Sequence, residues 1–167
     1  MIRPACSDAP GLFRLFVYGT LKSGYWNHDT YCRFAVSVEE ATVRGRLYEL
    51  PSGIPALEVP NEDNLAVGTD DPVADTQTQE SISVPRLSCG LSGWHAIHGE
   101  IITFSNPELC VPPIDRLESF RPGRLSMYVR VLVPAMTASA HAIAAWCYAA
   151  SRHSLSSATA TSKCQWP

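Results

Sequence analysis

Glu118 stands among apolar residues, Ile114, Leu117 and Phe120, that recur at helical spacing, and it follows Leu117 directly. That order places it at the border of a buried helix face. A carboxyl there is partly stripped of water, which disfavours its charged form. Its pKa rises from a reference near ~4.3 toward the range where a carboxylate exchanges protons at neutral pH. The same residue also reads as a solvated helix-border acid, or as a partner of Arg116, Arg121 or Arg130. The second chemical feature lies upstream, where the apolar run Leu15-Phe16-Val17-Tyr18 stops at Gly19-Thr20-Leu21 before the polar Lys22-Ser23-Gly24. A glycine directly after a strand lets successive backbone N–H groups turn outward, forming a concavity that holds a carboxylate or a developing oxyanion. An ordinary turn carries the same glycine.

Other groupings carry less chemistry. His95 and His98 point to opposite faces of an extended segment, so no metal site is expected there. Gly90-Leu91-Ser92-Gly93 lacks the form of a nucleophile elbow and follows a polar stretch rather than a strand. Neither a Walker-type nor a dinucleotide-binding glycine pattern occurs, and no cofactor is implied.

The elements that must carry Glu118 and the Tyr18 turn are short. Leu12–Tyr18 reads as a buried strand, and Trp26–Phe34 as a short helix capped by Asn27 or Asp29. From Glu39 to Leu50, Ala41, Val43 and Leu47 alternate with Thr42, Arg44 and Arg46, the pattern of a half-buried strand. His98–Phe104 resumes regular structure, and a helix starting near Pro112 or Pro113 is expected to carry Ile114, Leu117 and Phe120. Val129, Val131 and Val133 face one way along a further strand, and Ala142–Tyr148 fits a strand buried on both faces or a helix. Strands outnumber helices, which predicts an α+β fold built on a curled sheet or small mixed β-barrel with short flanking helices.

The 167 residues suit one domain with a full core, at 46% hydrophobic and 17% charged residues. That domain is expected over residues 12–149. It carries a polar surface insertion at about 61–94, rich in Asn, Asp, Thr, Gln and Ser, and a flexible tail over 150–167. A net charge of −3 with 13 scattered Lys and Arg gives no reason to expect nucleic acid. Pro4, Asp8, Pro10 and Arg14 interrupt any signal-like run, and no apolar stretch approaches membrane-spanning length. A cytoplasmic location and no membrane partner are expected. The six cysteines are widely spaced and read as reduced, mostly buried thiols.

Five ordered segments resemble the gamma-glutamylcyclotransferase-like family, in the branch of gamma-glutamylamine cyclotransferases and AIG2-like proteins. They are Tyr18–Gly24 with Asn27-His28; Val43–Tyr48 with Gly53–Leu57; His98–Ile101; Ile114–Glu118; and Tyr128–Val131. The resemblance implies a compact β-barrel with flanking helices. It also implies a loop, matching Tyr18, Gly19, Thr20 and Leu21, that binds a gamma-glutamyl group, and Glu118 as general acid/base. The implied reaction is intramolecular: the α-amine attacks the side-chain carbonyl, releasing 5-oxoproline and a free amine. Tyr128 is expected to line that pocket or orient Glu118, and Arg130 to be structural. Two features depart from the family pattern: Ser119 stands where glycine usually follows the glutamate, and the 61–94 insertion is long. Readings from other classes are a silent module that binds gamma-glutamyl metabolites, and a metal- or serine-dependent amidase that releases glutamate.

Overall fold

A five-residue run of Phe, Arg, Leu, Phe and Val has one polar side chain, half-buried, and in the computed structural model it is the central strand of the barrel. The structure describes residues 11–84 and 93–167. In chain order the elements are β1 (Phe13–Val17), α1 (Trp26–Tyr31), β2 (Ser37–Glu49), β3 (Pro55–Glu58), β4 (Ala66–Val67), α2 (Pro72–Ser81) and β5 (His95–Phe104). They continue with α3 (Pro107–Leu117), β6 (Tyr128–Thr137), β7 (Ala142–Ala150), α4 (Arg152–Leu155) and β8 (Thr159–Ala160). The strands run β2-β5-β1-β7-β6, and β6 returns to β2 through the pairs Ala41–Thr137 and Val43–Ala135. The sheet thus closes into a five-stranded barrel. Only β1 and β7 are parallel within it, with Leu15 opposite Trp146, so the barrel is mixed and the expected α+β class holds.

Closure explains why the strands are buried on both faces where alternation alone suggests one. Phe13, Leu15, Ile102, Leu132 and Trp146 pack on one side, while Phe16, Val43, Ile97, Ile101, Val131 and Cys147 fill the other. Each such side chain contributes about 1.5–3 kcal/mol by leaving water. Cys32, Cys110 and Cys147 are buried free thiols, and Cys164 is partly buried. Where β5 crosses β1 the backbones approach too closely for a side chain. A Cβ on Gly99 would press into the Val17 carbonyl oxygen and come within 2.7 Å of the Phe16 ring. Gly99→Ala should therefore destabilise the fold by about 3 kcal/mol, read as a lowered urea midpoint; an unchanged midpoint would contradict this packing.

Two local expectations need correction. The helix expected near Pro112 begins at Pro107, because the Asn106 side chain accepts the Leu109 N–H and Pro107 occupies the first turn. Pro112 and Pro113 lie inside it, and the carbonyls they leave unpaired belong to Glu108 and Leu109, both on its exposed side. α1 starts after Tyr25 with no side-chain cap, since Asn27 donates instead to the Thr20 hydroxyl at 2.7 Å. Residues beyond 150 form α4 and β8, with Ser151 accepting the Ser154 N–H and β8 paired to Tyr48 and Glu49. Trp166 packs against the barrel core, an anchor that the Ser- and Thr-rich composition of the segment conceals.

Within the polar insertion, α2 lies against β1 and α3. It is held by polar contacts rather than by an apolar face. Gln79 donates to the Leu12 carbonyl at 2.8 Å and accepts the Arg14 N–H at 2.8 Å, extending the edge of β1. Asp75, almost fully buried, faces Arg130. Residues 85–92 of the insertion, with Cys89, and the first ten residues, with Cys6, lie outside the described residues.

Candidate active site

The glutamate stands at the C-terminal end of α3, where the helix must stop. The Glu118 N–H reaches the Ile114 carbonyl at 2.9 Å, and the Phe120 N–H reaches back to Asp115 at 2.8 Å. This closing turn forces Ser119 to φ 53°, the left-handed region that glycine occupies at least cost. Glu118 then projects from the helix end over the open end of β1.

A cavity of about 270 Å³ lies there, and Tyr18, Gly19, Thr20, Leu21, Glu118 and Tyr128 all line it. The two segments singled out in the sequence are thus brought together, across a chain separation of about a hundred residues. Asn27, Ile54, Pro55, Leu117, Ser119, Met127 and Tyr148 complete most of the wall. Among the described residues, Glu118 makes no ion pair and no side-chain hydrogen bond. Its carboxyl is held in the pocket without a cation, and burial pushes its pKa up to about 7. Proton exchange near neutral pH is therefore within its range.

Across the cavity, the N–H groups of Gly19, Thr20 and Leu21 donate to no acceptor among the described residues. The loop that presents them is braced on several sides. The Lys22 N–H closes a turn on the Gly19 carbonyl at 3.1 Å, the Asn27 amide holds the Thr20 hydroxyl, and a His28 ring nitrogen contacts the Leu21 carbonyl at 2.8 Å. A side chain on Gly19 would meet Pro55 Cγ at 3.1 Å, so the close approach of the loop to Pro55 favours glycine there.

The tyrosines are placed differently from a simple substrate contact. Tyr18 donates its hydroxyl to the Tyr148 carbonyl at 2.8 Å and accepts the Leu57 N–H at 3.2 Å, so its hydroxyl ties β7 to β3 while its ring faces the cavity. Tyr128 donates to the Pro55 carbonyl at 2.6 Å. Burial raises both phenols above their ordinary range, and the charge of Glu118 raises Tyr128 further, so both stay protonated.

Arg130 sits behind the site and not in it. Fully buried, it donates to both oxygens of Asp115 at 2.9 and 3.2 Å and to Asp75 at 2.7 Å, and the Tyr148 hydroxyl also donates to Asp115 at 2.6 Å. Asp115 is one helical turn before Glu118. The network therefore fastens the end of α3 to β6 and β7, and so fixes where the glutamate points.

Residues 15–80 match the model of a family described as gamma-glutamyl cyclotransferase, AIG2-like. A crystal structure of an AIG2-like protein from Mus musculus has the same fold, with a TM-score of 0.57 at 16% identity over 94% of this chain and 89% of that one. The fold is that of the gamma-glutamylcyclotransferase, AIG2-like family. The crystal structure of YkqA from Bacillus subtilis is similar too, with a TM-score of 0.54 at 22% identity over 93% of this chain but only 39% of that one. A search of curated protein sequences returned no match.

On this AIG2-like scaffold, the departure at Ser119 acquires a physical meaning. A non-glycine residue in the left-handed region costs about 1–2 kcal/mol, partly offset by the greater freedom glycine has in the unfolded chain. Ser119→Gly should stabilise the protein by about 0.5–1 kcal/mol, seen as a raised thermal midpoint. A lowered midpoint would mean that the serine side chain does something the helix end depends on.

Sequence reasoning did not place Ile54, Pro55 or Tyr148 in the pocket. Tyr148 had a signal: it lies two residues after Trp146 on one strand, so an inward Trp146 implies an inward Tyr148. Pro55 contributes a backbone carbonyl, which residue type does not announce.

Proposed function

We propose that the protein cyclises a gamma-glutamyl group, releasing 5-oxoproline and a free amine, with Glu118 as general acid/base. The observation that carries this reading is the Glu118 carboxyl, unpaired among the described residues and with its pKa about 7, sharing a small cavity with Gly19, Thr20 and Leu21, whose backbone N–H groups have no acceptor among those residues. A substrate α-amine has a pKa near ~8 and is largely protonated at neutral pH, so it cannot attack until a base takes a proton. The Glu118 carboxylate takes it. The freed nitrogen attacks the side-chain carbonyl carbon of the same molecule, forming the ring C–N bond and an oxyanion. As the oxyanion collapses, the bond to the departing nitrogen breaks and Glu118 returns its proton there; the regenerated carboxylate then takes the second proton from the ring nitrogen and passes it to the released amine, which leaves as its ammonium. Water is neither consumed nor released.

Nucleophile and carbonyl belong to one molecule, so the protein gains mainly by holding the ring-closing conformer and stabilising the oxyanion. The N–H groups of Gly19, Thr20 and Leu21 serve both ends of the task, binding substrate oxygen and receiving the developing charge. Each well-aimed donor of this kind contributes about 3 kcal/mol in the transition state. The rings of Tyr18 and Tyr128 wall the cavity, and their committed hydroxyls keep it rigid. Identifying the product released from a panel of gamma-glutamyl amines and peptides tests the proposal. Release of 5-oxoproline is the expected result; release of glutamate, or activity lost to a chelator, would point to hydrolysis instead.

A further inference from the structure

Glu100 occupies a costly position. In the register of β2 and β5 it lies directly opposite Glu40, and like charges facing each other across strands destabilise a sheet. Its contacts explain what offsets that cost. One carboxylate oxygen of Glu100 accepts both the Ser23 N–H at 2.7 Å and the Ser23 hydroxyl at 3.0 Å. Ser23 is two residues beyond the last donor of the cradle loop. Lys22 next to it is almost fully buried, donates to the Trp166 carbonyl at 2.6 Å, and feels the charge of Glu100. Behind this loop lies a second, polar cavity of about 570 Å³, bordered by Lys22, Ser23, Glu40, His98 and Glu100. The loop thus borders both cavities, Tyr18 to Leu21 lining the first and Lys22 and Ser23 the second.

We propose that Glu100 is a positioning residue for the candidate site: its grip on Ser23 holds the Gly19–Leu21 donors in register with Glu118. The inference rests on the cyclisation reading for its kinetic consequence, but the grip itself is independent of it. Removing the carboxylate frees the Ser23 end of the turn, and the donors lose their alignment while the Glu118 carboxyl keeps its surroundings.

Amide hydrogen exchange and backbone resonances of Gly19, Thr20, Leu21 and Ser23, recorded without ligand for Glu100→Ala, Glu100→Gln and Ser23→Ala, test the grip. Faster exchange and shifted resonances in Glu100→Ala are expected, with a smaller change in Ser23→Ala and recovery toward wild type in Glu100→Gln, which retains one acceptor oxygen. With a gamma-glutamyl alkylamide as substrate, kcat/KM should fall about 10- to 100-fold in Glu100→Ala, with the rise of rate near pH 7 unmoved. Unchanged loop amides would overturn the assignment, as would unchanged kinetics in an active protein. A wild type that releases no 5-oxoproline would refute the cyclisation reading alone, leaving the amide data to decide on Glu100.

Discussion

Replacing Glu118 by Gln should lower kcat for 5-oxoproline release by about 10²–10⁴-fold, the span that a positioned acid/base commonly contributes, while the fold survives. The amide is the same size and can occupy the same place, but it takes no proton from an ammonium group. The pH dependence gives the substitution a second signature. Wild-type rate should rise with pH through about 7, as the carboxyl ionises to its basic form, and the variant should lack that limb. Stability should move the other way. Because burial raises the folded-state pKa above the ordinary 4.5, the folded protein binds this proton more tightly than the unfolded chain does. The stabilisation is therefore complete below about pH 4.5 and is lost as pH rises through about 7. Glu118→Gln removes this contribution, and above pH 7 it should be the more stable protein by about 1–3 kcal/mol. Urea unfolding at pH 5 and pH 8 reads this directly; an equal difference between the two proteins at both values would place the carboxyl in solvent.

Arg130→Met should cost about 3–5 kcal/mol of stability. The guanidinium is fully buried and joins Asp115 on α3 to Asp75 on α2, so its removal leaves the buried Asp75 and the partly exposed Asp115 without their cation. The ring centroids of Phe120 and Trp146 each lie 5.3 Å from its central carbon, so the substitution also removes cation–π contacts. Arg130→Lys keeps a charge but loses the forked contact to Asp115, and should fall between the two. A loss below 1 kcal/mol in denaturant unfolding would mean that the aspartates find other partners. The consequence for the site follows from Asp115, whose release frees the helix end that aims Glu118.

These two residues mark what a sequence does and does not disclose. Glu118 was legible because an acid embedded in an apolar helical repeat is an anomaly, and Gly19 because a strand ended on it. The strands were legible for the same reason, since β-branched and aromatic runs between turn residues admit few other structures. The partners of Arg130 were not. Asp75 lies in a stretch that reads as solvated, and only the folding of α2 onto β1 brings it to a guanidinium 55 residues away. The start of α3 was misplaced because Pro112 and Pro113 resemble a helix beginning, whereas the Asn106 cap carries the weaker signal. Trp166 shows the same limit: one large ring in a polar segment finds its place only once the barrel exists to receive it.

The most direct test follows the carboxyl of Glu118 and the amides of Gly19, Thr20 and Leu21 by NMR while 5-oxoproline is added. A Glu118 titration near pH 7 that shifts when product binds, together with movement of those three amide signals, is the expected result. A Glu118 titrating near ~4.3, with the three amides unmoved at saturating product, would contradict the shared acid-and-donor pocket on which the proposed chemistry depends.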